Sequence, residues 1–162
     1  MDKYLIKKEA IEKMEGLSKT HFLNDDARRI NKSLGDLTGL TGIGFHMIDI
    51  PPGADSTELH AHQYEDECVY VLKGMGEATV GEDIFPVAAG DFLGYRAGGL
   101  AHKLTNTGAQ ILTCIVVGQR LEHDVADYPR LKKRLYRNEG QPWEMVSHES
   151  IEKPGGSAGK KS

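Results

Sequence analysis

The sequence contains only two cysteines, Cys68 and Cys114, and each lies within an apolar run with no second cysteine nearby. This scarcity argues against a disulfide framework or a zinc ribbon and is typical of reduced, buried thiols in a cytosolic protein. No apolar stretch reaches the roughly 18 residues that a membrane-spanning helix needs. The N-terminus also lacks the apolar segment of a secretory signal, so we expect a cytoplasmic protein without a membrane partner.

The sequence also has no excess of positive charge. Lysine and arginine total 20 against 24 aspartates and glutamates, which gives a net charge of -4 with the seven histidines neutral. This balance argues against a nucleic-acid partner. The glycine-rich segment Gly39–Gly44 lacks the dinucleotide-binding fingerprint, and neither a nucleophile elbow nor a P-loop is present.

Glycine is abundant, with 19 among 162 residues, and this number implies many tight turns. From Thr38 onward, short apolar segments alternate with breaks that contain Gly, Pro or Asp. The predicted strands are Ile43–Ile50, Glu67–Leu72, Glu77–Val80, Ile84–Val87, Phe92–Tyr95, His102–Thr105 and Ile111–Val117. Their spacing predicts a single all-β domain, an antiparallel sandwich or barrel.

The segment before these strands, residues 1–37, is predicted to be an N-terminal arm. Good helix formers over Glu9–Glu15 predict a helix that Gly16 ends, although Tyr4–Ile6 could equally be a short edge strand. Residues 17–37 are polar and show no clear period, so we expect them to be irregular and to lie over the domain.

The segment after these strands, residues 119–152, is basic and aromatic, and Pro129 interrupts any helix there. We expect a C-terminal extension packed on the barrel, with a contact to a partner as the alternative. Residues 153–162 are small, polar and rich in glycine, a composition that predicts a disordered tail.

Three of the histidines and one glutamate form a pattern that suggests a metal site. His60 and His62 are two residues apart, so on a strand both imidazoles leave the same face. Glu67 follows a polar segment that can bend the chain, and it shares its face with apolar residues, where an unpaired carboxylate is costly. His102 can come from a separate strand. Three imidazoles and one carboxylate that converge in a barrel would bind a divalent metal.

The same residues lie in two stretches that resemble the paired motifs of the cupins. The first motif is matched by Gly53, His60, His62, Glu67 and Gly74, with one residue more than usual between Gly53 and His60. The second motif is matched by Gly90, Ala97–His102 and Asn106, with Ala97 where the family usually has proline. The change at Ala97 affects a turn and no metal ligand.

This resemblance covers residues 38–118 and implies a cupin jelly-roll β-barrel between the arm and the extension. It also implies a metal site formed by His60, His62, Glu67 and His102. Nitrogen and oxygen ligands suit Zn, Mn, Fe and Ni alike, so the identity of the metal stays open. Because cupins are commonly dimers, we expect a homodimer, with residues 1–37 or 119–146 as candidates for an exchanged arm.

The function that the resemblance favours is a metal-dependent enzyme acting on a small oxygenated substrate. Similarity to phosphomannose-isomerase-type cupins indicates a sugar-phosphate isomerase. An iron(II)-dependent dioxygenase with the same four ligands is one alternative, and a non-catalytic cupin that binds a small ligand is another. Cupins support many reactions, so the fold alone does not decide among these functions.

An isomerase also needs a group that moves a proton between adjacent carbons, and His46 or Glu65 is the nearest candidate. Glu65 and Asp66 are otherwise interpreted as solvated turn residues. No cluster of arginine or lysine marks a phosphate site. Arg96 could contact an anionic substrate at the barrel mouth or be an exposed loop residue.

Two further residues stay undecided. His123 and Asp124 belong to the C-terminal extension, and they could lie over the cavity or form a contact between subunits. Tyr70 has the opposite parity to Glu67 on the same predicted strand, so its side chain is expected outside the barrel lumen.

Overall fold

The computed structural model describes residues 4–154, and the chain is almost entirely β within that range. The two short helices are α1 (Lys8–Glu12) and α2 (Leu34–Leu37), and single 3-10 turns lie at Pro129–Leu131 and His148–Ser150. The strands of this range are β1 (Leu17–His21), β2 (Asn24–Ser33), β3 (Ile43–Ile50), β4 (Ala61–His62), β5 (Glu67–Lys73), β6 (Met75–Val80), β7 (Asp83–Ala88), β8 (Phe92–Tyr95), β9 (His102–Thr105), β10 (Leu112–Gln119), β11 (His123–Tyr128), β12 (Lys133–Asn138) and β13 (Glu144–Ser147).

The strands form three antiparallel sheets. The largest has the order β1-β2-β3-β10-β5-β8, a second has the order β13-β12-β11-β4, and a third has the order β7-β6-β9. Strands that are neighbours in a sheet are often distant in the sequence, and this arrangement confirms the predicted all-β jelly roll. Backbone bridges between Asp55 and Thr105 and between His60 and His102 link the loop before β4 to β9.

The main core lies between the large sheet and the three-stranded sheet. Its most buried apolar side chains include Ile50, Val71, Leu112 and Cys114, each with no solvent exposure. Alternate residues of β5 are buried, with Val69 and Val71 pointing inward, as the period of a half-buried strand requires. Glu67 begins the same strand on the same face, so its carboxylate enters the barrel.

All seven predicted strands are present, and their bounds shift by at most two residues. The glycines between them account for this agreement because they permit the left-handed backbone of tight turns. Gly74 has φ of 87° between β5 and β6, and Gly81 has φ of 62° between β6 and β7. The first helix is shorter than predicted and ends at Glu12, before Gly16.

The prediction of irregular structure over residues 17–37 is wrong. β1 and β2 form a hairpin, and β2 pairs with β3 to extend the large sheet. Most residues of β2 are polar or charged, and the buried ones include Ala27 and Asn31. The strand is stabilised by backbone pairing at the end of the sheet, so it shows little of the apolar alternation that sequence patterns detect.

The C-terminal extension is also made of strands. β11, β12 and β13 form a meander, and β11 pairs with β4, which carries His62. The tail predicted to be disordered, residues 153–162, falls mostly outside the described part of the chain, which ends at residue 154. Between residues 4 and 154, no helix has both the length and the apolar character needed to cross a membrane.

Candidate metal centre

The four predicted metal ligands are brought together where β4, β5 and β9 meet. His60 and His102 pair through their backbones: His60 N donates to His102 O at 3.3 Å, and His102 N donates to His60 O at 2.8 Å. His62 ends β4, and a bend over the next residues brings Glu67 to the start of β5. This bend resets the strand parity, as the sequence predicted.

The three histidine side chains converge at their Nε2 atoms, and the Glu67 carboxylate lies beside them. His60 Nε2 and His62 Nε2 are 3.1 Å apart. The His102 ring centroid lies 4.9 Å from that of His60, and His102 Nε2 lies 3.5 Å from Glu67 Oε1. Three imidazoles and one carboxylate therefore share one small region at the end of the barrel.

The Nδ1 atom of each imidazole faces a protein oxygen. The contacts are His60 Nδ1 to Glu58 O at 2.9 Å, His62 Nδ1 to Asp124 Oδ2 at 2.6 Å and His102 Nδ1 to Leu100 O at 3.3 Å. A carbonyl or carboxylate oxygen can only accept, so these contacts assign the imidazole proton to Nδ1. The Nε2 lone pairs are then free to bind a cation, as is usual for metal-binding histidines.

Two features of this donor set suit a metal ion. His60 Nε2 and His62 Nε2 lie 3.1 Å apart, and with the proton of each ring at Nδ1 their lone pairs face each other, an arrangement that a cation between them would relieve. His102 Nε2 is buried and has no hydrogen-bond partner within residues 4–154. A buried polar atom without a partner is costly, and coordination to a metal would satisfy it.

The protonation states of His60 and Glu67 also suit a divalent cation. Burial lowers the pKa of His60 to about 3, against the opposing effect of Glu67, so this imidazole is neutral at pH 7. Burial on its own would raise the pKa of Glu67, but the neighbouring imidazoles of His102 and His60 lower it, and the carboxylate stays ionised. Neutral imidazole and ionised carboxylate are the forms that bind metals.

A second group of possible ligand atoms lies beside this centre. His62, Glu65 and Asp124 each offer an atom within 4.8 Å of the others. However, Arg137 contacts the Glu65 carboxylate and lies 3.7 Å from Asp124. The Glu65 carboxylate is thus already paired with a guanidinium, and Asp124 is already bonded to His62, so the His60, His62, Glu67 and His102 set is the better candidate for a metal.

The alternative interpretation of Glu65 as a solvated turn residue is wrong. Its relative exposure is 4%, and Oε1 accepts the backbone N–H of Leu121 at 2.7 Å in addition to the contact with Arg137. Arginine and backbone donors compensate the charge of this buried carboxylate, and only the folded extension brings them there. Asp66 is exposed, and it accepts the N–H of Ala97 at 2.7 Å.

Asp124 is a buried residue beside the centre whose position the sequence left undecided. It is 2% exposed, and it binds His62 through Oδ2 and accepts the N–H of Tyr64 through Oδ1 at 3.3 Å. The available signal was the alternation in β11, where Asp124, Ala126 and Tyr128 are buried. His123, on the opposite face, is exposed and contacts Asn138.

The other candidates fall at the edges of the centre. His46 is half-buried on β3, and its Nδ1 lies 3.3 Å from the side-chain nitrogen of Asn31. Arg96 is exposed and lines an open groove of about 730 Å³ that also reaches Glu67 and Tyr95. Tyr95 stacks on His102 with ring centroids 3.6 Å apart, while Tyr70 lies on the outside of the barrel as predicted.

Two cavities adjoin His60. The larger, of about 500 Å³, reaches His60 and His62 and is otherwise lined mainly by β1, β2, β11 and β12. The smaller, of about 230 Å³, reaches His60, Glu67 and His46. The larger volume lies within the range typical of small-molecule sites. Residues before and after the central barrel therefore form much of the space beside the candidate metal ligands.

Comparisons with known proteins agree with this architecture. A family model described as a cupin domain matches residues 46–118. A solved structure from Acidithiobacillus ferrooxidans, provisionally named a sugar phosphate isomerase, is 49% identical with a TM-score of 0.90, and the match covers 93% of this chain and 96% of that one. Among curated proteins, no significant match to the chain is found.

Two more distant structures share the fold. A sugar phosphate isomerase of the cupin superfamily from Silicibacter pomeroyi is 23% identical with a TM-score of 0.76, covering 86% of this chain and 92% of that one. A Thermotoga maritima protein described as a predicted oxalate decarboxylase is 26% identical with a TM-score of 0.50, covering 58% of this chain and 80% of that one. The first likeness extends well beyond the central barrel, whereas the second covers little more than half of the chain.

Proposed function

Because this chain belongs to the cupin superfamily, we propose that it is a metal-dependent enzyme that isomerises a small sugar phosphate. The observation that carries the proposal is the convergence of three imidazole Nε2 atoms and one carboxylate beside a cavity of about 500 Å³. A polar centre at the wall of a cavity of this size is the usual form of a small-molecule active site.

In this proposal His60, His62, Glu67 and His102 hold a divalent transition metal, with Zn, Mn, Fe and Ni as candidates. The metal would act as a Lewis acid that polarises the carbonyl and hydroxyl oxygens of the substrate. The protein fixes the three imidazoles through the acceptors at Nδ1, and the open cavity leaves room for substrate on the side of His60 and His62.

Support for an isomerase comes from the extent of the match to the Acidithiobacillus protein. That protein is provisionally named a sugar phosphate isomerase, and the match includes the terminal strands that line the cavity as well as the central barrel. These strands supply side chains of the space where a substrate would bind, so resemblance there bears on the substrate more directly than resemblance in the barrel.

Isomerisation between an aldose and a ketose transfers one proton between adjacent carbons and needs no oxidant. Of the two predicted acid–base groups, His46 is the better candidate because it lines the smaller cavity together with Glu67 and His60. Burial and the nearby Arg120 lower the pKa of His46, so the ring is neutral at pH 7 and can accept a proton. Glu65 is held by Arg137 and the N–H of Leu121, which makes it a poor base.

Elemental analysis tests the metal centre. We expect near-stoichiometric metal in the purified protein and little in a His60→Ala/His102→Ala double variant. His123→Ala is the matched control, because this exposed imidazole lies outside the centre, and it should retain its metal. A protein that cannot be loaded with any divalent ion would contradict the proposal.

A panel of aldose and ketose phosphates, each with its unphosphorylated counterpart, tests the reaction. We expect interconversion of at least one phosphorylated pair and its loss in the double variant. Oxygen consumption by iron-loaded protein with catechols, thiols or diketones, without isomerisation, would instead favour a dioxygenase. A ligand that binds tightly and is recovered unchanged with every metal would favour a non-catalytic binding protein.

A further inference from the structure

We propose that Lys19 and Arg29 form an anion-binding subsite beside the candidate metal centre, and that it takes the phosphate group of a phosphorylated substrate. The choice of a substrate phosphate rests on the proposed function, whereas the subsite itself follows from the two cations and their surroundings. Neither residue belongs to the region that matches the cupin domain model, residues 46–118.

The two cations lie side by side on the β1–β2 hairpin. Lys19 and Arg29 are directly opposite each other in the antiparallel register. Like charges in this position repel and destabilise a hairpin unless something compensates them. Within residues 4–154, neither side chain takes part in a salt bridge. A bound anion between them would supply the missing compensation.

The position of the pair favours a ligand in the cavities. Lys19 and Arg29 line both the cavity of about 500 Å³ and the cavity of about 230 Å³, and His60 and Thr57 line both as well. The cationic pair therefore borders the same two spaces as the predicted metal ligand His60. A small molecule that filled them could contact the cations with one end and the metal centre with the other.

Arg29 is held in place for such a contact. Its guanidinium donates to the backbone carbonyl of Ser56, in the segment that leads to Thr57 and His60. This hydrogen bond uses one nitrogen of the guanidinium, and the N–H groups of the other nitrogens stay available for a phosphate oxygen. Arginine and lysine together are the usual partners of phosphate, the first through its planar fork and the second as a point charge.

The other charged groups around the larger cavity form no salt bridge with the pair. Arg137 pairs with Glu65 and lies 3.7 Å from Asp124, whose Oδ2 is bonded to His62. His21 accepts the N–H of Leu23 at Nδ1, which assigns its proton to Nε2 and makes it a further neutral donor in the same cavity. Glu67, near the smaller cavity, is a predicted metal ligand whose charge the metal would offset.

Calorimetric titration of the purified, metal-loaded protein with inorganic phosphate tests the subsite. We expect Lys19→Gln and Arg29→Gln each to weaken phosphate binding about tenfold or more, as loss of a charged hydrogen-bond partner does. Arg28→Gln is the matched control, since it removes the same charge from the same strand on the exposed, opposite face and pairs with Thr20. It should change the affinity less than about twofold, an effect of long-range charge alone.

Three outcomes would overturn the subsite. One is equal weakening by Arg28→Gln and Lys19→Gln, which would indicate a general effect of charge. Another is phosphate binding that disappears in His60→Ala/His102→Ala but survives in both Lys19→Gln and Arg29→Gln. The third is failure of phosphate to bind the parent protein. Because Arg29→Gln could disturb the hairpin through Ser56, Lys19→Gln is the decisive variant, and circular dichroism checks that both variants fold.

The subsite and the proposed function fail separately. Phosphate binding that depends on Lys19, in a protein that isomerises no sugar phosphate, would retain the subsite and remove the isomerase. Isomerisation of a sugar phosphate with an unchanged KM in Lys19→Gln would retain the isomerase and remove the subsite. If both hold, KM for the sugar phosphate should rise about tenfold in Lys19→Gln, while the weaker turnover of the unphosphorylated sugar should stay the same.

Discussion

His62 Nδ1 lies 2.6 Å from Asp124 Oδ2, and this contact joins the C-terminal meander to the candidate metal centre. Burial alone would lower the pKa of His62, but the bond to Asp124, together with the negative charges of Asp124, Glu67 and Glu65, outweighs this effect and raises the pKa. The carboxylate therefore acts on His62 by holding its proton at Nδ1 and by orienting the ring. Asp124 is a positioning residue, supplied from outside the stretch that carries the predicted ligands.

Replacing Asp124 with asparagine should weaken metal binding by about 10- to 100-fold, the usual effect of losing a carboxylate that orients a ligating histidine. Competition against a chromogenic chelator measures the affinity. Asp83→Asn, an exposed carboxylate on β7, is the control and should leave the affinity unchanged. Equal metal affinity in Asp124→Asn and the parent protein would show that His62 is not a ligand or needs no such orientation.

Arg137 and Glu65 form the buried charge pair that supports this arrangement. Arg137→Leu leaves the carboxylate of Glu65 buried without its partner, so we expect a loss of about 3 kcal/mol in the free energy of unfolding. Urea denaturation measures it. In Glu65→Gln/Arg137→Leu the charge is removed with its partner, and part of the stability should return. A double variant no more stable than Arg137→Leu would contradict this account.

Part of the ligand set could be predicted from local spacing, because His60 and His62 share a face by strand parity and the polar segment before Glu67 can bend and reset that parity. His102 lies 35 residues beyond Glu67, and its place in the set was implied by the resemblance to the cupin motifs. Asp124, Lys19 and Arg29 could not be predicted in the same way. Each reaches the cavity through strand pairing with residues distant in the sequence, and only the tertiary structure reveals such pairing.

The fold was predictable to a similar extent and for similar reasons. Strands such as β3 and β10 are rich in apolar residues, and segments containing glycine or proline interrupt the chain near them, so their positions are visible in the sequence. β2 contains Asp25, Asp26, Arg28 and Arg29, and pairing with β1 and β3 stabilises it in spite of this polar composition. Strands near the end of a sheet have fewer apolar neighbours, and sequence patterns detect them poorly.

His21 should make stability depend on pH. Burial and the neighbouring Arg29 lower its pKa from 6.5 to about 4, so between these values the unfolded chain binds a proton that the folded chain does not. Stability therefore falls as the pH drops from about 6.5 toward 4. The slope is at most about 1.4 kcal/mol per pH unit for one proton, and it is smaller for a half-exposed ring.

His21→Asn tests this effect because the asparagine oxygen can still accept the N–H of Leu23. Urea denaturation at pH 7, 6 and 5 should show a shallower loss of stability in the variant than in the parent protein. Because the carboxylates titrate in both proteins, their contribution to the pH dependence of stability cancels in the comparison with the parent. Identical pH profiles would show that His21 has the same pKa in the folded and unfolded chains.

Gly74 and Gly53 form a matched pair of left-handed glycines from the first cupin motif. Their φ values are 87° and 76°, but a Cβ at Gly74 would lie 2.6 Å from the carbonyl oxygen of Ile111, whereas a Cβ at Gly53 would meet nothing within 4 Å. Gly53→Ala should cost about 1 kcal/mol for the backbone conformation alone. Gly74→Ala should cost more than this, since the backbone of β10 must also shift. Equal costs in thermal denaturation would indicate that the Ile111 region adjusts freely.

His46 provides the last test, because it separates proton transfer from metal binding. His46→Gln should lower kcat for the sugar phosphate by about 100-fold or more while metal content and KM stay close to those of the parent protein. Since burial and Arg120 lower the pKa of His46, activity of the parent should fall on the acid side of pH 6.5, and this limb should disappear from the residual activity of the variant. His123→Gln, an exposed imidazole outside both cavities, is the matched control and should keep the parent profile. If His46→Gln retains full kcat with an unchanged acid limb, the base is another group lining the cavity, and His46 only packs against β2 through Asn31.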